Sequence, residues 1–319
     1  MKTNFKARVF WRFSLVAAFI FMIWRFFHYQ FGLTNDSVFF GELIRSSNVI
    51  TECGSSPRPL NPHNPSNANI PSIIHQLWKT SEVDAYSVRL EASFDLWKKA
   101  FEPLNYTVKL WTDSSILQLV KDKYPWILTT YETYPQDIQR ADLARLLVVY
   151  AEGGIYADLD VYPISAPQIR CIQSLGLQAI FASTADNHGL SNHFFMAERG
   201  SHFLEWALYE AKRRGGAASR YIFLPYLQVF WSTGPLMITA TFKEYAWMYG
   251  ALANDMGLLK TEYLGSTIRH AAGRSWHGWD GQILNFIADN LRKSLLMCSA
   301  FLILTGVLML VIKRFRFRF

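Results

Sequence analysis

Residues Gln136–Pro163 read QDIQRADLARLLVVYAEGGIYADLDVYP. Helix, glycine stop, strand and acidic turn are expected in that order. Pro135 suits a first helical position, where its missing N–H would lack a partner anyway. Leu143, Leu146, Leu147 and Tyr150 recur at helical spacing and predict an apolar stripe. Gly153 and Gly154 can take the positive φ that ends a helix. The chain then alternates. Ile155, Ala157, Leu159 and Val161 fall on one face, and Tyr156, Asp158, Asp160 and Tyr162 on the other. Asp158 and Asp160 therefore leave a buried strand end on the same side. Asp142 and Arg145 share a helix face. One short segment thus gathers three carboxylates and one fixed cation.

Two aspartates flanking one residue suit a hard divalent cation that also holds phosphate oxygens. Mg²⁺ and Mn²⁺ take oxygen ligands and are commonly shared between carboxylates and a diphosphate. Such a cation offsets the charge of a departing nucleoside diphosphate. Asp-Leu-Asp alone would be a solvated strand end more often than a metal site. The longer pattern, D-x-x-R followed by G-G-I-Y-A-D-L-D-V-Y-P, is far more specific.

This pattern resembles the core of glycosyltransferase family 32, the group with a DXD sugar-binding region. That group includes fungal inositol phosphorylceramide mannosyltransferases and the initiating N-glycan outer-chain mannosyltransferase. The likeness extends over residues 70–282, strongly at 136–163 and loosely elsewhere. It implies a GT-A type α/β fold, a doubly wound, mostly parallel sheet. It also implies GDP-mannose as donor, Mn²⁺ or Mg²⁺ as metal, and retention of anomeric configuration.

Upstream, Ile70–Lys79 (IPSIIHQLWK) is expected to be the first core strand. By resemblance it ends at the nucleotide, so His75, Gln76 and Trp78 are candidates for lining the donor pocket, with His75 reading as a core histidine rather than a metal ligand. Tyr106–Thr112 alternates as a second strand, and Asp113 or Ser114 can cap the next helix. Strand and helix in alternation imply a parallel sheet. Ligands of such sheets bind beyond the carboxyl ends of the strands, where the Asp158–Asp160 turn would lie.

Downstream, Gln178–Ser183 reads as a short strand. Asn192, in a loop before the next strand, is a candidate for a sugar hydroxyl. Ser232-Thr233-Gly234-Pro235 resembles the family's turn into a helix, whose free N–H groups could meet a sugar or phosphate oxygen. Ile268–Gln282 (IRHAAGRSWHGWDGQ) resembles a late loop closing over the diphosphate. His270, or else His277, is expected to complete the metal shell or hold a phosphate. Arg274 would offset leaving-group charge, and Trp276 would line the donor site.

The two ends carry topology. Lys2, Lys6, Arg8 and Arg12 precede an apolar run over residues 13–31, read as an uncleaved signal anchor, with a cleaved signal peptide as the competing reading. Residues 32–69, rich in Pro, Ser and Asn at their end, read as a stem. The catalytic domain is placed at 70–290, and Leu295–Ile312 forms an uncharged run of a length that nearly spans a bilayer core. Residues 1–12 and 313–319 would then be cytosolic tails around a lumenal domain.

Hydrophobic content is 50% and aromatic content 16%, with a net charge of +7. The basic excess sits largely in the tails, so it reads as topology, and nucleic-acid binding is excluded for want of any such motif. The three cysteines define no disulfide framework; Cys53 and Cys171 could pair in an oxidising lumen.

The implied protein is a Golgi or other secretory-pathway membrane enzyme, transferring mannose to the inositol headgroup of inositol phosphorylceramide. Asp158 and Asp160 would bind metal, and Asp142 and Arg145 would orient the sugar. Its partners would be a nucleotide sugar and a membrane lipid acceptor, with room for a membrane regulatory subunit. The alternatives are a mannosyltransferase acting on N-glycans or other glycans, and a non-catalytic partner of such an enzyme. The intact Asp142, Arg145, Asp158 and Asp160 argue against the last. Asp142→Asn and Arg145→Lys are expected to cut turnover about tenfold or more, the equivalent of roughly 1.4 kcal/mol, with little effect on stability. Protease treatment of sealed microsomes is expected to trim both tails and spare the central domain. Digestion of that domain without detergent would refute the topology.

Overall fold

The structure is a computed structural model. It describes residues 48–53, 69–83, 92–184, 189–215, 222–249, 255–271 and 278–290, with Lys293 and Gly306 as isolated positions. The chain divides into two compact units, Met1–Tyr221 with Gln228–Gly273, and Ile222–Leu227 with Arg274–Phe319.

In chain order come β1 (Asn48–Ile50), β2 (Ile73–Leu77), α1 (Phe94–Phe101), a 3₁₀ turn (Glu102–Leu104), β3 (Thr107–Trp111), α2 (Asp113–Lys123), α3 (Pro125–Thr133) and α4 (Asp137–Glu152). There follow β4 (Gly154–Ala157), β5 (Val161–Pro163), α5 (Ala166–Gln173), β6 (Ala179–Ser183), β7 (Leu190–Ala197), α6 (His202–Arg214) and α7 (Pro225–Ser232). Last are α8 (Pro235–Tyr249), β8 (Met256–Leu259), α9 (Thr261–Thr267), β9 (Ile268–His270) and α10 (Trp279–Asp289).

Seven strands form one sheet in the order β1-β8-β6-β7-β4-β2-β3, and β5 pairs with β9 apart from it. Of the seven, β7 alone runs antiparallel to its neighbours. The strand alternation sorts side chains into two cores. Tyr156, Phe181, Phe195 and Leu258 face one core with α2, α3, α4, α6 and α8. Ile155, Ile180, Phe194 and Leu259 face the other with α1, α5 and α9. Helices thus cover both faces of a mostly parallel sheet, the α/β arrangement that the sequence implies.

Several local expectations change. α4 begins at Asp137, with Gln136 as its cap; the Gln136 and Gln139 side chains each take the other's backbone N–H. Pro135 therefore lies before the helix. α4 also carries no one-sided stripe, for Leu143 through Val149 are all buried. It packs against β2, β4, β7 and α6 at once. Thr112, rather than Asp113 or Ser114, caps α2, its Oγ1 accepting from the Ser115 N–H at 3.3 Å. The alternation after Ile155 stops at Ala157. A turn closed by the Val161 N–H on the Asp158 carbonyl, 2.9 Å, turns the chain out of the main sheet, and β5 pairs with β9 instead.

Residues 48–53, read as stem, join the fold. β1 pairs with β8 at the sheet edge, and Cys53 is disulfide-bonded to Cys171, with Cα atoms 6.0 Å apart. The rest of the expected stem up to Ala68 lies outside the described residues. So do both apolar end runs, apart from Gly306. Among the described residues no helix is long and apolar enough to cross a membrane.

The α4–β4 junction is fixed by two glycines. Gly153 and Gly154 have φ of +69° and +111°, and a Cβ on Gly154 would stand 2.4 Å from the Ile73 carbonyl oxygen. No other residue fits so close a backbone approach. His75 secures the junction from β2. Its Nδ1 accepts from Trp111 Nε1, which can only donate, at 3.0 Å. The ring proton therefore sits on Nε2 and reaches the Gly153 carbonyl at 2.8 Å. Burial pushes His75 from 6.5 down to about 4, although Gly153 and Glu152 pull it up.

The sign for stability follows from this depression. Below pH 6.5 the unfolded chain takes up a proton that the folded ring refuses. The neutral ring's contribution is complete above about 6.5 and is lost as pH falls towards 4. It amounts to on the order of 3 kcal/mol. Urea midpoints are expected to drop over that window, and less steeply in His75→Gln. Parallel losses in both proteins would exclude the imidazole as the source.

Candidate active site

Arg145 projects from the middle of α4 and is buried. Its Nη2 lies 3.4 Å from Asp142 Oδ1, one helical turn back. Its Nη1 lies 3.3 Å from Asp158 Oδ2 and donates to the Asn192 carbonyl at 3.2 Å. The guanidinium carbon sits 5.2 Å from the Tyr156 ring centroid, within cation–π range. The Tyr156 hydroxyl donates to Asp158 Oδ1 at 2.6 Å.

Asp142 is fully engaged. Asn192 Nδ2 donates to its Oδ1 at 3.0 Å, and Thr233 Oγ1 donates to its Oδ2 at 2.9 Å. Asn192 was expected in a loop; it sits within β7, buried, and braces Asp142. The Thr233-Gly234-Pro235 turn does lead into a helix, α8, and its threonine closes the same network.

The acidic turn is tied down by its backbone. Asp158 N–H donates to the His193 carbonyl and Ser93 N–H to the Leu159 carbonyl, both at 2.9 Å, and Ala271 N–H donates to the Asp160 carbonyl at 2.9 Å. Gln76 Nε2 donates to Ser93 Oγ at 2.9 Å and reaches the Asp158 carbonyl at 3.3 Å. Gln76 thus supports the turn from beneath, and its buried Oε1 has no hydrogen-bond partner. Trp78 is half-buried just past the end of β2. Asp160 Oδ2 lies 3.6 Å from His270 Nε2. The His270 ring stacks on His193, centroids 4.1 Å apart and planes within 9°. His277, Arg274 and Trp276 lie outside the described residues.

Burial pushes the Asp142 and Asp158 carboxyls above the usual range, with Arg145 pulling both down. Burial also works against the Arg145 charge, but Asp158, then Tyr156, Asp142 and Asp160, hold it protonated. Burial, then His270, drive His193 down to about 3, so it is neutral. Three carboxylates therefore surround one guanidinium, an excess of negative charge that suits a divalent cation. Side chains of Asp158 and Asp160 remain 24% and 12% exposed. Among the described residues no group of three or more His, Cys, Asp or Glu side chains is placed to hold a metal ion. A cation at Asp158 and Asp160, with His270 3.6 Å from Asp160, would take phosphate oxygens and water for the rest of its shell.

Sequence reading missed Tyr156, His193 and the role of Thr233. Period-two alternation already put Tyr156 on the Asp158 face. Thr233 and Asp142 are 91 positions apart, so no local pattern links them. His193 adjoins Asn192, but nothing in the sequence brings it to His270.

Over residues 87–181 the chain matches the family model described as a glycosyltransferase sugar-binding region containing the DXD motif. It is 34% identical to inositol phosphoceramide mannosyltransferase 3 of Schizosaccharomyces pombe, over 67% of this chain and 57% of that protein. To inositol phosphoceramide mannosyltransferase 1 of the same yeast it is 31% identical, over 78% and 76%. To mannosyl phosphorylinositol ceramide synthase SUR1 of Saccharomyces cerevisiae it is 28% identical, over 73% and 58%. The matched region thus spans little more than half the length of two of these three relatives. The chain belongs to the family of glycosyltransferases whose sugar-binding region contains the DXD motif. Within it, two of these relatives carry the name inositol phosphoceramide mannosyltransferase.

The burial of Asp142 and Arg145 overturns the expectation that they can be altered with little effect on stability. Removing one partner of a buried ion pair costs about 3–5 kcal/mol, so Asp142→Ala is expected to unfold early. Thr233→Val is expected to cost about 1.5–3 kcal/mol, because it removes a hydrogen bond to a buried charge. Denaturant midpoints read both directly. A Thr233→Val midpoint equal to wild type would mean that Thr233 does not hold Asp142.

Proposed function

We propose that this chain is a membrane-anchored retaining mannosyltransferase, moving mannose from GDP-mannose to the inositol headgroup of inositol phosphorylceramide. The observation that carries the reading is the joint hold of Arg145 on Asp142 and Asp158. It fixes the DXD turn at the carboxyl end of β4 in a family of sugar transferases. The names of two similar proteins, inositol phosphoceramide mannosyltransferases 3 and 1, support this acceptor.

Asp158, Asp160 and His270 would hold Mn²⁺ or Mg²⁺. The bound ion would offset diphosphate charge as the nucleotide departs. Arg145 sets the angle of Asp158 and keeps a cation beside the sugar. Asp142, both oxygens engaged, positions Arg145 and Asn192. Gln76 holds the turn, and Trp78 would meet the nucleotide; Arg274 and Trp276 are the late-loop residues that the family resemblance assigns to the donor. No carboxylate is assigned as a covalent nucleophile. The acceptor hydroxyl attacks from the face the nucleotide leaves, and its proton passes to the departing phosphate oxygen. Rate then comes from positioning and electrostatic stabilisation. The two apolar end runs would hold the domain on the lumenal side of a Golgi membrane, near a headgroup that cannot travel from the bilayer. The Cys53–Cys171 bond supports an oxidising compartment. A membrane regulatory subunit is compatible with this placement.

Membranes carrying the chain, given labelled GDP-mannose and inositol phosphorylceramide, are expected to form mannosylated lipid with Mn²⁺ and little after chelation. Asp160→Ala should abolish transfer. Label on a glycan, or transfer indifferent to chelator and to Asp160→Ala, would overturn the reading.

A further inference from the structure

Helix α10, in the second compact unit, turns two polar residues, Asp280 and Asn285, towards Tyr226, while Gln282 is exposed. Asp280 is buried and its Oδ2 accepts from the Tyr226 N–H at 2.7 Å. Asn285 Oδ1 accepts from the Tyr226 hydroxyl at 3.0 Å. Three of its large apolar residues face outward, with Trp279 67%, Ile283 52% and Phe286 52% exposed. These three stand at i, i+4 and i+7, one stripe along the helix. A helix beside water carries the reverse pattern.

We propose that this stripe lies in the headgroup–acyl boundary of a lipid bilayer. The chain just beyond α10 selects that occupant. α10 ends at Asp289, Lys293 is exposed, and the uncharged run opens at Leu295. The intervening residues can span at most about 20 Å, so α10 cannot stand far from a bilayer that holds the run. Arg292 and Lys293 fall between the two, where cations meet lipid phosphates. Tryptophan, exposed at the head of the stripe, favours the same boundary. With eleven residues, α10 is about 16 Å long and cannot cross a hydrocarbon core of about 30 Å. It can lie flat with one face immersed. This inference rests on the reading of residues 295–312 as a membrane span.

The test uses the full chain with Cys298→Ser, reconstituted in phosphatidylcholine–phosphatidylserine vesicles, Cys53 and Cys171 being bonded to each other. Nitroxide labels are placed singly through Ile283→Cys, Phe286→Cys, Leu302→Cys and, as a water-facing control, Lys121→Cys. Collision with oxygen, which concentrates in lipid, is compared with collision with a water-soluble nickel chelate. Labels at 283 and 286 are expected to favour oxygen severalfold over the control. Chelate access equal to the control overturns the proposal. Shielding from both reagents does so too, since protein would then cover the stripe. The label at 302 reports separately whether the run enters the bilayer, so failure of the helix and failure of the span are distinguished.

Discussion

A single buried guanidinium organises this molecule's chemistry. Arg145 comes from the middle of a helix whose residues 142–149 are all buried, and it cannot leave without stranding Asp142. It cannot shift without moving Asp158. A charge out of water is tolerated only with such partners, so the ion pairs that make the site also hold α4 in place. Stability and the proposed chemistry draw on the same contacts. The acidic turn can therefore be rigid yet open on one side: its backbone is bonded to α1, β7 and the end of β9, while its carboxylates keep some exposure.

The sheet explains why these parts meet where they do. Strand alternation sends Ile155 to one core and Tyr156 to the other. Tyr156 thereby reaches Arg145, which descends from the helix on that face. The antiparallel strand of the main sheet, β7, lies directly beside β4. It brings Asn192 and His193 to the end of β4 against the direction of its neighbours. A parallel strand there would present its opposite end, and Asp142 would lose its amide partner.

Legibility in the sequence followed range. The order helix, glycine stop, strand and acidic turn was readable because each signal is local: a 3.6-residue period, two glycines, a two-residue period. The spacing of Asp142 and Arg145 showed that they share a face, but not that both would be buried. Their seal comes from Asn192 and Thr233, 50 and 91 positions away from Asp142. The alternation was carried too far past Ala157 because a turn leaves no mark on a two-residue period until a hydrogen bond closes it. Cys53 looked like part of a linker, since nothing nearby shows that Val49 will pair with Leu258 across the sheet edge. The His193–His270 stack had no local signal at all.

The hydrogen bond from Thr233 to Asp142 also sets an order in time. A chain emerging from synthesis completes α4 long before residue 233 exists. Until then Asp142 Oδ2 can only stay hydrated, although Asn192 and the partners of Arg145 have already been made. The site therefore cannot precede the domain; it is among the last features to close, and a chain stopped short of α8 would carry the whole DXD turn without a working centre.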